Sequence, residues 1–463
     1  MTRKCYNLGC FRYQHAFLAQ LCTVSRIFNY YSTPLLYRWV RLRSLELVPR
    51  FFNALAPCPW NCRHLVKLEI RVWPFYGDRS ALEDDIVATL DAATHLRSLA
   101  FTRKGALSSQ LLETINRLPR LEELEFNAST KGWDAGQLES LPLSLDSLSL
   151  LLPDRTSVAI LPQVVQRLVN LDHITILSLE STSVTNDLLA SLSKTSTVPH
   201  LKSISLSGCP KLTDQPLLNL FKAIPDLQHL ALENCGNTTS FFQKAAPSLK
   251  SLRSLKTTHP GIRGQQTDKL YPSILQLAAH APSLNTFTIF STGHVVLPGG
   301  KKEFPLLEEA FVAEMVQLCN FKRFEVNGIL VPLAAVDRLC EGAPELEDAV
   351  LHLGYVEPDL PRLSSALLQL KKLRTLHLLS QRLISEDDVL MMVEGIRTLQ
   401  QVGVRNVSLQ PLQYVCAHIV VAIAAESVEC HTGTFARRKS GDARRLPDRG
   451  EDIIDSIHWL RLA

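Results

Sequence analysis

Residues 201–237 read LKSISLSGCPKLTDQPLLNLFKAIPDLQHLALENCGN, and this stretch decides the architecture. It holds the phrase L-x-x-L-x-L twice, as LKSISL (201–206) and LQHLAL (227–232). The end of each phrase alternates apolar and polar residues, the period of a strand with one buried face. Between the two, TDQPLLNLFKAIP (213–225) carries a helical pattern and stops at Pro225, because proline cannot continue a helix. One strand and one helix therefore make one unit of about 26 residues.

In both directions the phrase returns: LRSLEL (42–47), LVKLEI (65–70), LRSLAF (96–101), LEELEF (121–126), LDSLSL (145–150), ITILSL (174–179), LRSLKT (252–257), LNTFTI (284–289), FKRFEV (321–326), a looser copy near 348–353, LRTLHL (373–378) and LQQVGV (399–404). Helical patterns fall between, at 108–119, 333–344 and 385–396, and several end in Pro-x-Leu at Pro119, Pro225, Pro247, Pro282 and Pro344. A single unit cannot bury its own apolar stripe, whereas a stack makes a continuous core. The expected fold class is α/β, a solenoid with a curved parallel sheet inside, helices outside and a short helical N-terminal cap. Longer intervals place insertions near 72–83, 258–270 and 290–304, loops that either touch partners or are tolerated surface drift, drift being the favoured reading.

Over residues 41–405 the chain resembles the leucine-rich repeat family, with the middle copies similar to its cysteine-containing subclass at Cys209 and Cys235. A second resemblance lies ahead of the repeats, in the segment 1–40. Residues 18–38, LAQLCTVSRIFNYYSTPLLYR, are similar to the second half of a fungal-type F-box. That resemblance implies docking on a Skp-type cullin adaptor through Leu21, Val24, Phe28, Pro34, Leu35 and Leu36. The opening Leu-Pro phrase of an F-box has no counterpart in MTRKCYNLGCFRYQHAF (1–17), so capping of the solenoid alone stays open.

The 463 residues carry a net +4, unevenly spread: residues 1–50 hold +7 and residues 435–450 hold +4, leaving −7 elsewhere. A mildly acidic body argues against nucleic acid along the main surface. Eleven cysteines, an odd number, fit free thiols in a reducing compartment, cytoplasm and/or nucleus. The longest apolar run, Tyr414–Ala425, is too short to span a bilayer, so no membrane is expected. Residues 406–463 read as an extension, with a flexible basic linker over 429–450 and a terminal helix placing Ile453, Ile454, Ile457 and Leu460 on one face.

Phosphate loops, dinucleotide fingerprints, nucleophile elbows and HExxH pairs do not occur in the sequence, and no cofactor, metal or enzymatic activity is expected. Binding is the better reading, because residues between the leucines line the inner wall. The candidates for holding a protein client there are Glu69, Arg71, Glu123, Glu125, Ser205, His229, Glu233 and His377. The early wall looks partly acidic, with Glu46 also placed on it, and the middle small and polar, with Ser178 among its residues. The function expected by resemblance is a substrate-recognition adaptor of cullin–RING ubiquitin ligases. The alternative is a stand-alone protein-binding scaffold with no ligase link.

Overall fold

The computed structural model describes residues 8–73, 79–178, 183–260, 269–291, 295–296, 302–353, 360–380, 389, 395–406, 416–424 and 427–435. Two compact units divide the chain, the first reaching His200 and the second running from Leu201 to Ser440. Each is a stretch of α/β solenoid in which parallel strands alternate with helices.

In the first unit, helices α1 (Leu8–Val24) and α2 (Arg26–Arg38) precede six parallel strands: β1 (Trp39–Leu42), β2 (Lys67–Ile70), β3 (Ser98–Phe101), β4 (Glu123–Asn127), β5 (Ser147–Leu151) and β6 (His173–Leu177). Their register stacks Leu68, Leu99, Leu124, Leu148 and Ile174 in one buried row. A second row holds Ile70, Phe101, Phe126, Leu150 and Ile176. Each fully buried side chain of this size contributes roughly 1.5–3 kcal/mol relative to exposure, so the stack replaces the core a lone repeat lacks.

Helices close the other face and start where the sequence supplies caps. Ser108 accepts from Leu111 N at 3.2 Å and opens Ser109–Asn116, which buries Leu111, Leu112 and Ile115. Asp154 accepts from Thr156 N and Ser157 N at 3.1 and 3.0 Å and opens Arg155–Arg167. Burial pushes the Asp154 carboxyl up, but bonds from Ser157 and Thr130 outweigh it and hold the pKa below its ordinary value.

Among its described residues the second unit has eight parallel strands: β7 (Ser203–Ser207), β8 (His229–Glu233), β9 (Ser254–Thr258) and β10 (Thr286–Phe290), then, beyond the small antiparallel pair β11 (Val295–Val296) and β12 (Lys302–Glu303), β13 (Arg323–Asn327), β14 (Asp348–Leu353), β15 (Thr375–Ser380) and β16 (Gln401–Asn406). The helices Asp214–Lys222, Leu270–His280 and Leu333–Gly342 end two or three residues before Pro225, Pro282 and Pro344. Phe287, Phe311, Phe321 and Phe324 form one aromatic cluster in this core.

Consecutive turns also pack on each other. Gly236 lies so close to the preceding turn that a Cβ there would strike the Pro210 and Leu212 carbonyl oxygens, and Gly236 N donates to Cys209 O at 3.3 Å. Cys209 Sγ donates to Ser207 O at 3.4 Å and Cys235 Sγ to Leu206 O at 3.5 Å, so these thiols satisfy turn carbonyls.

Several expectations need correction. The first strand is Trp39–Leu42, not LRSLEL: Val40 and Leu42 pair in register with Leu68 and Ile70, while Leu45 and Leu47 are half exposed. The phrase at β6 likewise starts three residues earlier, at Leu171-Asp-His-Ile174-Thr-Ile176. Glu46 therefore precedes the helix Leu47–Leu55 rather than lining the sheet, and Ser178 is buried past the end of β6. Residues 429–435, expected as linker, belong to β18 (Ser427–Phe435), which pairs antiparallel with β17 (Cys416–Ala424), which in turn pairs antiparallel with β16. Alternating Val428, Cys430 and Thr432 satisfy a strand's period, which the polar composition concealed. The helices expected at 385–396 and 451–463 lie outside the described residues, apart from Val389, Gly395 and Ile396 in the first.

Candidate functional site

On each strand the residues between buried leucines face away from the helices, onto the open side of the sheet. In the first unit this column runs Arg41, Glu69, Ala100, Glu125, Ser149 and Thr175, flanked by Trp39, Lys67, Ser98, Glu123, Ser147 and His173. The four candidates Glu69, Arg71, Glu123 and Glu125 come together around one shallow depression of about 80 Å³, lined also by Lys67, Ser98, Ser147 and Ser149.

The charges there are paired, which sequence alone did not show. Arg41 clasps Glu69 with two bonds, Nε–Oε2 2.6 Å and Nη2–Oε1 3.0 Å. Arg71 joins the same carboxylate at 3.1 Å and then reaches Glu125, Nη1–Oε1 3.0 Å and Nη2–Oε2 3.2 Å. Lys67 Nζ stands 3.5 Å from Glu69 and 3.9 Å from Glu123, and Ser98 Oγ donates to Glu123 at 2.7 Å. Trp39 underlies the group, with Arg41 Cζ 5.5 Å and Lys67 Nζ 5.3 Å from its ring centroid.

Glu69 is only 2 % exposed. Burial alone pushes its carboxyl upward, but the Arg71 charge, the Arg41 bond and charge, and Lys67 together hold its pKa down to about 2. Glu69 and Arg71 are thus a fixed floor, whereas Glu123 is exposed and meets solvent. Beside Glu123, burial followed by the Glu123, Glu122 and Asp172 carboxylates pushes Asp146 up, against the opposing pull of His173.

In the second unit, Ser205 sits mid-strand on β7 opposite Ala231, and His229 on β8 lies between Ser203 and Ser254. Glu233 is buried and ion-paired to Lys256 at 2.9 Å, with Lys256 Nζ 5.5 Å from the Phe290 ring centroid. His377 is far along the same sheet on β15, opposite Val350 and Gly403, where a Cβ on Gly403 would strike its ring. Ser205, His229 and Glu233 lie on two adjacent strands, with His229 and Glu233 at opposite ends of β8, while His377 lies on β15. Leucine spacing sets the first strand five residues too late and so misses Trp39 and Arg41, while Lys256, mid-strand in LRSLKT, finds its ion-pair partner on the neighbouring strand.

The second candidate surface is the N-terminal helix pair. Ser25, in extended conformation, caps α2 by accepting from Phe28 N at 3.2 Å. α1 and α2 pack together, with Cys22 Sγ 3.6 Å from Thr33 Oγ1. The polarity of α2 is inverted: Ile27, Tyr30 and Tyr31 are 71, 75 and 68 % exposed, and Ser32 is 4 % exposed. Of the docking candidates, Val24, Phe28 and Leu35 are exposed, and Leu21, Pro34 and Leu36 are half-buried. Phe17, Ile27, Tyr30 and Tyr31 belong to the same outward-facing set and carried no signal in the F-box phrase. Tyr30 and Tyr31 meet edge to face at 5.2 Å.

Among the described residues no group of three or more His, Cys, Asp or Glu side chains is placed to hold a metal ion. Cys58 and Cys62 are free thiols, and Cys62 Sγ donates to Leu55 O at 3.4 Å. No described helix is long and apolar enough to cross a membrane.

No protein-family model matches the chain, and no curated protein matches it. Among solved structures it is similar to a chain of the Rad7–Elc1 complex in yeast, at 15 % identity over 83 % of this chain and 96 % of that one, with a TM-score of 0.47. It is also similar to the leucine-rich repeat-containing protein LegL7 from Legionella pneumophila, at 15 % identity over 66 % of this chain and 90 % of that one, with a TM-score of 0.35.

Proposed function

We propose that this leucine-rich-repeat protein is a substrate-recognition adaptor of the F-box kind, docking on a Skp-type cullin adaptor through α1–α2 and reading a protein client on the open face of its sheets. In this reading the chain makes and breaks no bonds; it raises the effective concentration of client near a ligase. The observation that carries it is the inverted α2. A helix packed on its own protein buries its apolar side, and here Ile27, Phe28, Tyr30, Tyr31 and Leu35 point out while Ser32 points in. Exposed aromatic clusters of this kind mark protein interfaces.

The test is capture of a purified Skp-type adaptor by the full chain, beside a Phe28→Ala, Leu35→Ala variant. Both side chains are exposed, so the variant keeps its fold. Capture by the wild type and loss in the variant is the expected result. No capture by either returns the protein to the scaffold reading, with α1–α2 as a cap.

A further inference from the structure

We infer that the partner of α2 is a protein whose apolar groove is rimmed by carboxylates, and that Arg26 and Arg38 steer the two together. This rests on the docking reading above and adds to it the chemistry of the partner. Arg38 follows Pro34 by four residues and Tyr31 by seven, which puts it on the outward face of α2 among the apolar side chains. Arg26 precedes Tyr30 by four residues and flanks the same face. Both arginines are exposed, and neither makes an ion pair with another described residue. Arg26 also opens α2, where the helix end is itself positive and the first turn holds no acid. Within this chain that placement is unfavourable, and a carboxylate supplied from outside would reverse its sign. No Asp or Glu occurs before Glu46, so the whole segment presents one sign of charge.

A membrane is the less favoured occupant. Recognition of anionic lipid by charge uses clusters of roughly four to eight basic residues, and the face of α2 offers two. Tyrosine and arginine around a central apolar strip are instead the composition of a protein hot spot.

Binding kinetics of the full chain with a purified Skp-type adaptor test this, at ionic strengths of about 0.01 and 0.15 M, where the Debye length is about 30 and 8 Å. The expected result is an association rate that falls about tenfold or more with salt. In Arg26→Glu, Arg38→Glu that dependence disappears and association slows, with dissociation changed less than about threefold; Phe28→Ala instead speeds dissociation. An association rate indifferent to salt and to the arginine variant, with Phe28→Ala, Leu35→Ala still abolishing capture, overturns the inference and leaves the docking reading standing. No binding by the wild type at either salt overturns both. Two other occupants would also overturn it: phosphatidylserine vesicles bound by the wild type and lost in the arginine variant, or a dimer in sedimentation that Phe28→Ala dissolves.

Discussion

Phe304 stands edge-on to His352, ring centroids 4.6 Å apart and planes at 67°, sealing a histidine that is fully buried on β14. Neither His352 ring nitrogen has a hydrogen-bond partner among the described residues. Burial pulls its pKa down to about 4 from 6.5, so the imidazole is neutral in the folded protein. The unfolded chain binds this proton first. Stability tied to His352 is therefore complete above about pH 6.5 and is lost as pH falls toward 4. His352→Leu should raise the denaturation midpoint and flatten the slope between those pH values, because two orphaned polar atoms leave the core. Urea melts at pH 7, 6 and 5 of both proteins check this; equal slopes would count against it. His259, pulled down to about 4 by burial, leaves a residual slope in the variant.

Glu69 titrates in the opposite sense. Its folded pKa of about 2 lies below the ordinary 4.5, so its contribution is present above pH 4.5 and disappears as pH drops through 2. The shift corresponds to about 3 kcal/mol. Replacing Glu69 by Gln leaves Arg41 and Arg71 facing a neutral amide, and the expected destabilisation is roughly 3–5 kcal/mol, as for a broken buried pair. Denaturant titration at pH 7 measures it, and a loss under about 1 kcal/mol would contradict the pairing described here.

Ala100 lies between Glu69 and Glu125 in register, and its small side chain leaves room for Arg71 to cross β3. Ala100→Leu should part Arg71 from Glu125 and destabilise by about 1–3 kcal/mol. A Glu125→Gln background removes the electrostatic part, so the two losses should be less than additive. Full additivity in the cycle would mean that Ala100 does not gate the contact.

Gly236→Ala puts a methyl against two carbonyl oxygens of the neighbouring turn, which are backbone and cannot swing aside. A loss of about 1–3 kcal/mol is expected. Gly136→Ala, whose Cβ would meet only the Asp134 side chain at 3.5 Å, is the control and should be nearly neutral.

The repeat was legible because leucine at fixed spacing reports a buried stripe directly, and that signal placed most strands to the residue. It failed where other apolar residues took leucine's place. Val40 and Leu42 carry the first strand, yet Leu42, Leu45 and Leu47 imitate the phrase more closely while two of them stay half exposed. At β6 a run of Ile174, Ile176, Leu177 and Leu179 allowed a slip of three. The candidate site was half legible. Strand periodicity put Glu69, Arg71 and Glu125 on one face, but their pairing depends on a contact 54 residues apart that crosses a whole strand. The inversion of α2 was hidden for another reason: sequence reports which residues are apolar, not which side of a helix its own protein covers.

Solenoids ordinarily obey nearest-neighbour statistics, each repeat feeling only the ones beside it, so they can fray from an end one repeat at a time. Arg71 breaks that rule, because it ties the second strand to the fourth over the head of the third. With Arg41 holding the first strand to the second, the opening four strands share one set of charges. Opening at that end then cannot stop at an intermediate repeat without stranding a buried arginine or carboxylate. Hydrogen exchange across β1–β4 should accordingly report a single opening free energy rather than a staircase, making this end a block that melts whole.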